Sequence, residues 1–175
     1  MTPTRPPERF RFRAVRGWRL DIARRVLVGA AAGAAGTTAL NLVSYADMAW
    51  RARPASEVPA QTVEKLADLA GAEVPGEGDD RAQRLTALGA LSGLGVGVAV
   101  GTAYGLLLAP LLRTRPNLAA IAVSGLAMAA SDVPAARLDV VDPTSWSTAD
   151  WVSDLVPHLV YGIVTVRTLG LVDSS

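Results

Sequence analysis

The chain has 175 residues, of which 50% are apolar and only 5% aromatic, and its formal net charge is +1. So small a net charge gives no reason to expect a polyanionic partner, and we predict no nucleic-acid partner. The absence of cysteine excludes disulfides, thiolate nucleophiles and thiolate metal ligands.

Four apolar segments follow one another along the chain. The first three cover about residues 26–50, 85–112 and 116–133, and the fourth covers about 151–172. A bilayer core about 30 Å thick requires about 20 helical residues. The third segment reaches that length only if it extends to Ala136. A helix that is tilted, short or partly interfacial is therefore an alternative to a full span for this segment.

The segments predict an all-α fold, a four-helix transmembrane bundle formed by residues 26–172. A soluble bundle is the alternative, but a soluble helix carries charge along one face. Residues 85–112 hold no charged side chain, which favours the membrane. Cleavage of the first segment as a signal, which would leave three spans, also stays open. An Arg pair at 24–25 precedes the apolar run, and residues 44–46 have the small-x-small form of a cleavage site.

The placement of basic residues predicts the orientation, because Lys and Arg concentrate on the cytoplasmic side. With a cytoplasmic N-terminus, eleven of them lie inside and six outside. We therefore predict a multi-pass protein of the inner (plasma) membrane with both termini cytoplasmic. Residues 1–25 are expected to form a basic, largely disordered tail, of which residues 20–25 begin the first helix. The outer loop over 51–84 is expected to hold a short amphipathic helix. The apolar face of that helix would consist of Val63, Leu66, Ala67 and Ala70.

The second segment carries a ladder of glycines that recur every four residues. This repeat places them along one slowly winding side of a helix. In lipid, helices associate through close contact, because apolar burial drives them together only weakly. The ladder therefore predicts packing against another helix, either within this bundle or on a second copy or partner protein. Its members are Gly89, Gly93, Gly97, Gly101 and Gly105.

Polar residues are expected in the outer half of the bundle, where ionisable groups are candidate functional residues. On the fourth segment, Asp154, His158 and Tyr161 share one helical face, and Asp47 is placed to pair with Arg51. A His beside carboxylates suits a proton relay or a pH sensor. The alternative is that His158 only fixes the helix packing. The predicted polar cluster consists of Asn41, Tyr45, Asp47, Asp132, Asp154, His158 and Tyr161.

Two short motifs resemble small YagU-like bacterial inner-membrane proteins. They are Gly-Thr-Thr at 36–38, in a first helix of small residues, and His-Leu-Val-Tyr-Gly at 158–162. The resemblance covers the first and last segments and implies a four-span inner-membrane protein in which His158 is of interest. That family is largely uncharacterised and loosely linked to acid tolerance, so the resemblance implies no defined activity.

The sequence shows no nucleophile motif, phosphate loop or dinucleotide fingerprint, and one His with scattered Asp residues is weak support for a metal site. We predict no cofactor, no metal and no catalytic set. The leading interpretation is a non-enzymatic structural or accessory subunit that packs through glycine-rich helix faces. A proton-responsive small transporter or channel using the polar cluster is the alternative, and a lipid-modifying membrane enzyme is the third. The expected partners are the lipid bilayer and either a second copy or a larger membrane protein.

Overall fold

The structure is a computed structural model that describes residues 8–173, with side chains described for residues 21–172. Every regular element in that range is helical. In chain order the elements are α1 (Glu8–Arg51), α2 (Val58–Leu69), α3 (Gly78–Ala103), a π-helical segment (Tyr104–Leu108), α4 (Ala109–Leu112), α5 (Pro116–Arg137), a 3₁₀ turn (Pro143–Ser145) and α6 (Thr148–Asp173).

Four helical stretches are long and apolar enough to cross a membrane. They are Asp21–Arg51, Gly78–Leu112, Pro116–Arg137 and Thr148–Val172. The predicted all-α, four-helix transmembrane fold is therefore confirmed. The third stretch has 22 residues, which exceeds the length that a bilayer core requires.

The four spans pack in a ring in which neighbours run antiparallel. Helix α1 lies between α3 and α6, α5 packs on the other side of α6, and α3 closes the ring with fewer contacts to α5. Helix α2 packs across the beginning of α3. We call the end of the bundle that carries α2 the α2 end, and the opposite end, at α4, the α4 end.

Helices α1 and α3 approach each other through their backbones. A Cβ atom placed on Gly29 would lie 2.7 Å from the carbonyl oxygen of Gly101 and 2.9 Å from the Cα atom of Thr102. A Cβ atom on Gly33 would overlap the carbonyl oxygen of Gly97. Because no side chain fits between them, the two helices gain dispersion contacts along their main chains.

The glycines of the α3 ladder do not all contact the same helix. Gly97, Gly101 and Gly105 lie against α1, whereas a Cβ atom on Gly89 would lie 2.8 Å from the backbone of α2 at Ala60. A Cβ atom on Gly93 would meet nothing within 4 Å. A four-residue step overshoots a helical turn by about 40°, so the ladder winds from one neighbour to the next.

The structure differs from the predicted tail, because α1 begins at Glu8. The helix was expected to begin only at about residue 20, after a largely disordered stretch, and residues 1–7 lie outside the described residues. No proline follows Pro7 before the first span, and Arg, Ala and Leu are good helix formers. The helix of the first span therefore extends toward the N-terminus through the basic region.

The short helix predicted in the first loop is α2, but its inward face differs from the predicted one. Val63 and Ala67 are half-buried, while Leu66 and Leu69 are 49% and 75% exposed. Ala70 is exposed as well. On the side of α2 that faces α3, Glu64 forms an ion pair with Arg81 of α3. The contact between the two helices is therefore partly charged, whereas we predicted an apolar one.

The π-helical segment marks a change of helical geometry before Pro110. The amide of Ala109 donates to the carbonyl oxygen of Tyr104, five residues earlier. A proline has no amide hydrogen, and its ring clashes with the carbonyl group of the preceding turn of an α-helix. The wider turn relieves that crowding and lets the helix continue to Leu112.

Gly101→Ala and Gly93→Ala form a matched test of the α1–α3 contact. The methyl group of Gly101→Ala would overlap the backbone of Gly33 and lie 2.6 Å from the carbonyl oxygen of Gly29. We therefore expect a loss of about 1–3 kcal/mol in the free energy of unfolding. The second methyl group meets open space, so Gly93→Ala should be neutral or slightly stabilising. Reversible unfolding in mixed detergent micelles, followed by circular dichroism, measures both. Equal stability of the two variants would contradict the contact.

Candidate functional site

The predicted polar residues do not form one cluster. Their side chains divide into a group between α5 and α6, a buried tyrosine where α1, α3 and α6 meet, a charged network at the α2 end, and an exposed pair on α1. Each residue of a helix is rotated by about 100° from the last, so residues at similar depth on one helix face different neighbours.

The group between α5 and α6 joins two carboxyl groups, one hydroxyl and one imidazole. The Nδ1 atom of His158 lies 3.3 Å from Oδ1 of Asp154 and 2.8 Å from the backbone oxygen of the same residue. The Nε2 atom of His158 lies 3.4 Å from the hydroxyl of Ser131 on α5. That hydroxyl is 3.2 Å from Oδ1 of Asp132. We call Ser131, Asp132, Asp154 and His158 the acid–histidine group.

The contacts of His158 assign different tasks to its two ring nitrogens. A backbone carbonyl oxygen can only accept a hydrogen bond, so Nδ1 carries the hydrogen and donates to Asp154. Nε2 is then the atom at which a proton is gained or lost. It points toward Ser131, whose hydroxyl can both accept and donate. A chain of exchangeable protons thus runs from Asp132 on α5 to Asp154 on α6.

The acid–histidine group is partly shielded from its surroundings. The side chains of His158 and Asp154 are 13% and 21% exposed. The Oδ2 atom of Asp154 is buried and has no hydrogen-bond partner among the described residues, and the carboxyl group of Asp132 lies close enough to interact with it electrostatically. Two acids held together within a span are costly. Within residues 21–172, no three His, Asp or Glu side chains are arranged to hold a metal ion.

Tyr161 lies one turn beyond His158 but faces different helices. Its side chain is 1% exposed, and its hydroxyl donates to the backbone oxygen of Gly97 on α3 at 2.6 Å. A Cβ atom on Gly36 of α1 would lie 2.8 Å from the ring. Tyr161 therefore joins α6 to both partners of the close glycine contact, and it is not part of the acid–histidine group.

Asp47 belongs to a charged network at the α2 end. Its carboxylate pairs with Nε of Arg51 at 2.8 Å, as predicted, and with Nε of Arg53 at 2.6 Å. Arg51 also donates to the hydroxyl of Ser153 on α6 at 2.5 Å. A cleft of about 460 Å³ opens beside this network, between α1 and α6. Asp47 lines it, and the acid–histidine group does not.

Asn41 and Tyr45 lie on the outer surface of α1. Both are exposed, Tyr45 at 61%. The described part of the chain gives the Asn41 amide no hydrogen-bond partner, whereas the nearby Thr38 hydroxyl donates to Ala34 of its own helix at 2.9 Å. These two predicted residues therefore lie apart from the acid–histidine group, because the faces of α1 toward α3 and α6 are occupied by other positions.

Ser131 is the member of the acid–histidine group that the sequence prediction missed. The hydroxyl of a serine in an apolar helix usually bonds to its own backbone, and Ser131 also lies 3.0 Å from the backbone oxygen of Met128. The one available signal is that Ser131 directly precedes Asp132 near the end of a span. The sequence alone does not show that His158 of α6 lies opposite Ser131, and without that contact the adjacency of Ser131 and Asp132 does not indicate a site.

The fold and these sites define a multi-pass integral membrane protein. Its four apolar helices contact the lipid bilayer. A comparison of the chain with protein-family models, curated proteins and solved structures found no match.

Tyr161→Phe and Tyr45→Phe test the tyrosine contact as a matched pair. The first removes the hydrogen bond to the Gly97 oxygen while keeping the ring, so we expect a loss of about 1 kcal/mol in the free energy of unfolding. The second removes a hydroxyl from an exposed ring and should change stability little. Unfolding in mixed micelles compares the two. A Tyr161→Phe variant as stable as the parent protein would contradict the role assigned to the hydroxyl.

Proposed function

We propose that this membrane protein is proton-responsive, acting as a small transporter or channel in which the acid–histidine group binds and releases a proton. The observation that supports it most directly is the continuous contact from Asp132 through Ser131 and His158 to Asp154. Histidine changes charge near neutral pH, and ionisable groups within spans commonly form proton relays. A serine hydroxyl between an acid and an imidazole can pass a proton by donating one while accepting another.

The geometry favours this function over a purely structural role for the same residues. A histidine that only fixes packing needs one good hydrogen bond, and His158 has that bond to the Asp154 backbone. The second carboxyl group at Asp132 and the unpartnered Oδ2 of Asp154 add no packing benefit. They are expensive to keep at this depth unless proton exchange uses them.

A structural or accessory subunit is the second candidate, and one observation favours it. Gly93 and Gly95 of α3 and Gly125 of α5 face open space, since a Cβ atom on any of them would meet nothing within 4 Å. Small residues on the outside of a span allow a further helix to approach closely. The ladder glycines at 97, 101 and 105 are already used by α1, so this role would rest on the open positions.

The proposed orientation follows the distribution of Lys and Arg. With both termini in the cytoplasm, the α2 end faces outward and eleven of seventeen basic residues lie inside. The acid–histidine group is then nearer the outer surface, and Ser131 is its exposed member.

We expect protein-dependent proton flux in liposomes under an imposed pH gradient, read with an entrapped pH-sensitive dye. Asp154→Asn and His158→Gln should reduce the flux to that of protein-free liposomes, because each interrupts the proton chain. Asp68→Asn is the matched control, since it neutralises an exposed carboxylate on α2 outside the spans. Absence of flux in the parent protein, or flux unchanged in both site variants, would overturn the proposal.

The protonation of His158 can be observed directly, because it is the only histidine of the chain. In protein labelled with ¹⁵N-histidine, we expect the Nε2 signal to change from protonated to unprotonated between about pH 5 and 9. The Nδ1 signal should stay protonated across that range, since Nδ1 donates to Asp154. A ring with one fixed protonation state throughout would contradict a proton-binding role.

A further inference from the structure

The outer face of α1 carries a polar side chain without a partner at membrane depth. Asn41 lies ten residues from Arg51 and sixteen from Arg25, about 15 Å and 24 Å along the helix. Its amide is exposed and has no hydrogen-bond partner among the described residues. At that depth, acyl chains offer neither donors nor acceptors, so an amide facing lipid is costly.

The residues around Asn41 follow a regular spacing on the same face. Steps of three and four residues alternate along it, which is the period of a seam between two helices crossing at about +20°. Ala31, Thr38, Asn41 and Tyr45 are exposed, and Ala34 is half-buried. The small side chains toward the α4 end permit close approach. We call this face the α1 seam, formed by Ala31, Ala34, Thr38, Asn41 and Tyr45.

We propose that the α1 seam binds a second copy of this chain, giving a parallel dimer in which the two Asn41 amides hydrogen-bond to each other. A side-chain amide carries both a donor and an acceptor, so Asn41 is complementary to itself across a two-fold axis. All copies insert with one orientation, and a two-fold axis along the membrane normal then pairs α1 with α1 in parallel.

The dimer leaves the rest of the molecule unchanged. The opposite faces of α1 are occupied by α3 through Gly29 and Gly33 and by α6 through Gly36, so the seam is the side of α1 left for another chain. The acid–histidine group lies between α5 and α6, away from the seam. Dimerisation and proton binding are therefore separable by mutation.

The absence of cysteine from the chain makes disulfide crosslinking a direct test in native membranes. Thr38→Cys places one thiol on the seam, and Leu91→Cys places one on the exposed surface of α3 as a control for random collision. We expect Thr38→Cys to give roughly tenfold more disulfide-linked dimer than Leu91→Cys on mild oxidation.

The role of the amide is tested in the Thr38→Cys background. Asn41→Leu should lower the yield of linked dimer roughly tenfold, which is the scale of one hydrogen bond between spans, and Asn41→Gln should retain most of it. Unfolding in mixed micelles shows whether each variant is folded. Equal yields from Thr38→Cys and Leu91→Cys, crosslinks to other proteins alone, or an unchanged yield in folded Asn41→Leu would overturn the proposal.

Discussion

Where Gly29 and Gly33 meet Gly97 and Gly101, no side chain separates the backbones of α1 and α3. The distance between the two helices is set by main-chain atoms alone, so neither helix can rotate or slide along the other without a clash. The same contact positions α6. The ring of Tyr161 packs against Gly36 of α1 while its hydroxyl donates to the Gly97 oxygen of α3, so the distance between α1 and α3 determines where Tyr161 fits. The placement of α6 in turn determines which of its polar side chains reach α5.

Helix α6 serves two interfaces with polar residues only three positions apart. His158 faces α5 and meets Ser131, whereas Tyr161 faces α1 and α3. The hydroxyl of Tyr161 is satisfied by a backbone oxygen and has one stable arrangement. The imidazole meets groups that can exchange protons, so its arrangement permits more than one charge state. The difference in chemistry follows from the neighbour, since both residues belong to the same helix.

The positions of the four spans were predictable because each is long, apolar and nearly free of charge. The grouping of polar residues was not, because it depends on which helix lies beside each face. Asp154 and His158 lie one turn apart on the same helix, and the structure brings their side chains into contact, while Asn41 was assigned to the same site on depth alone. Depth along α1 does not give the direction of a side chain, and the close glycine contact turns Asn41 away from α6. The helical course of residues 8–19 was missed because the Pro and Arg content of the tail was taken as a sign of disorder.

The π-helical segment over Tyr104–Leu108 has a consequence for how such a chain can change over generations. A π turn holds one residue more than the α turn that it replaces, and the helix continues on the same axis beyond it. Loss of one residue here would convert the segment to an ordinary turn while leaving Tyr104 buried and the preceding glycines against α1. In an alignment of chains of common descent, a one-residue gap inside the second span would therefore be expected at this segment.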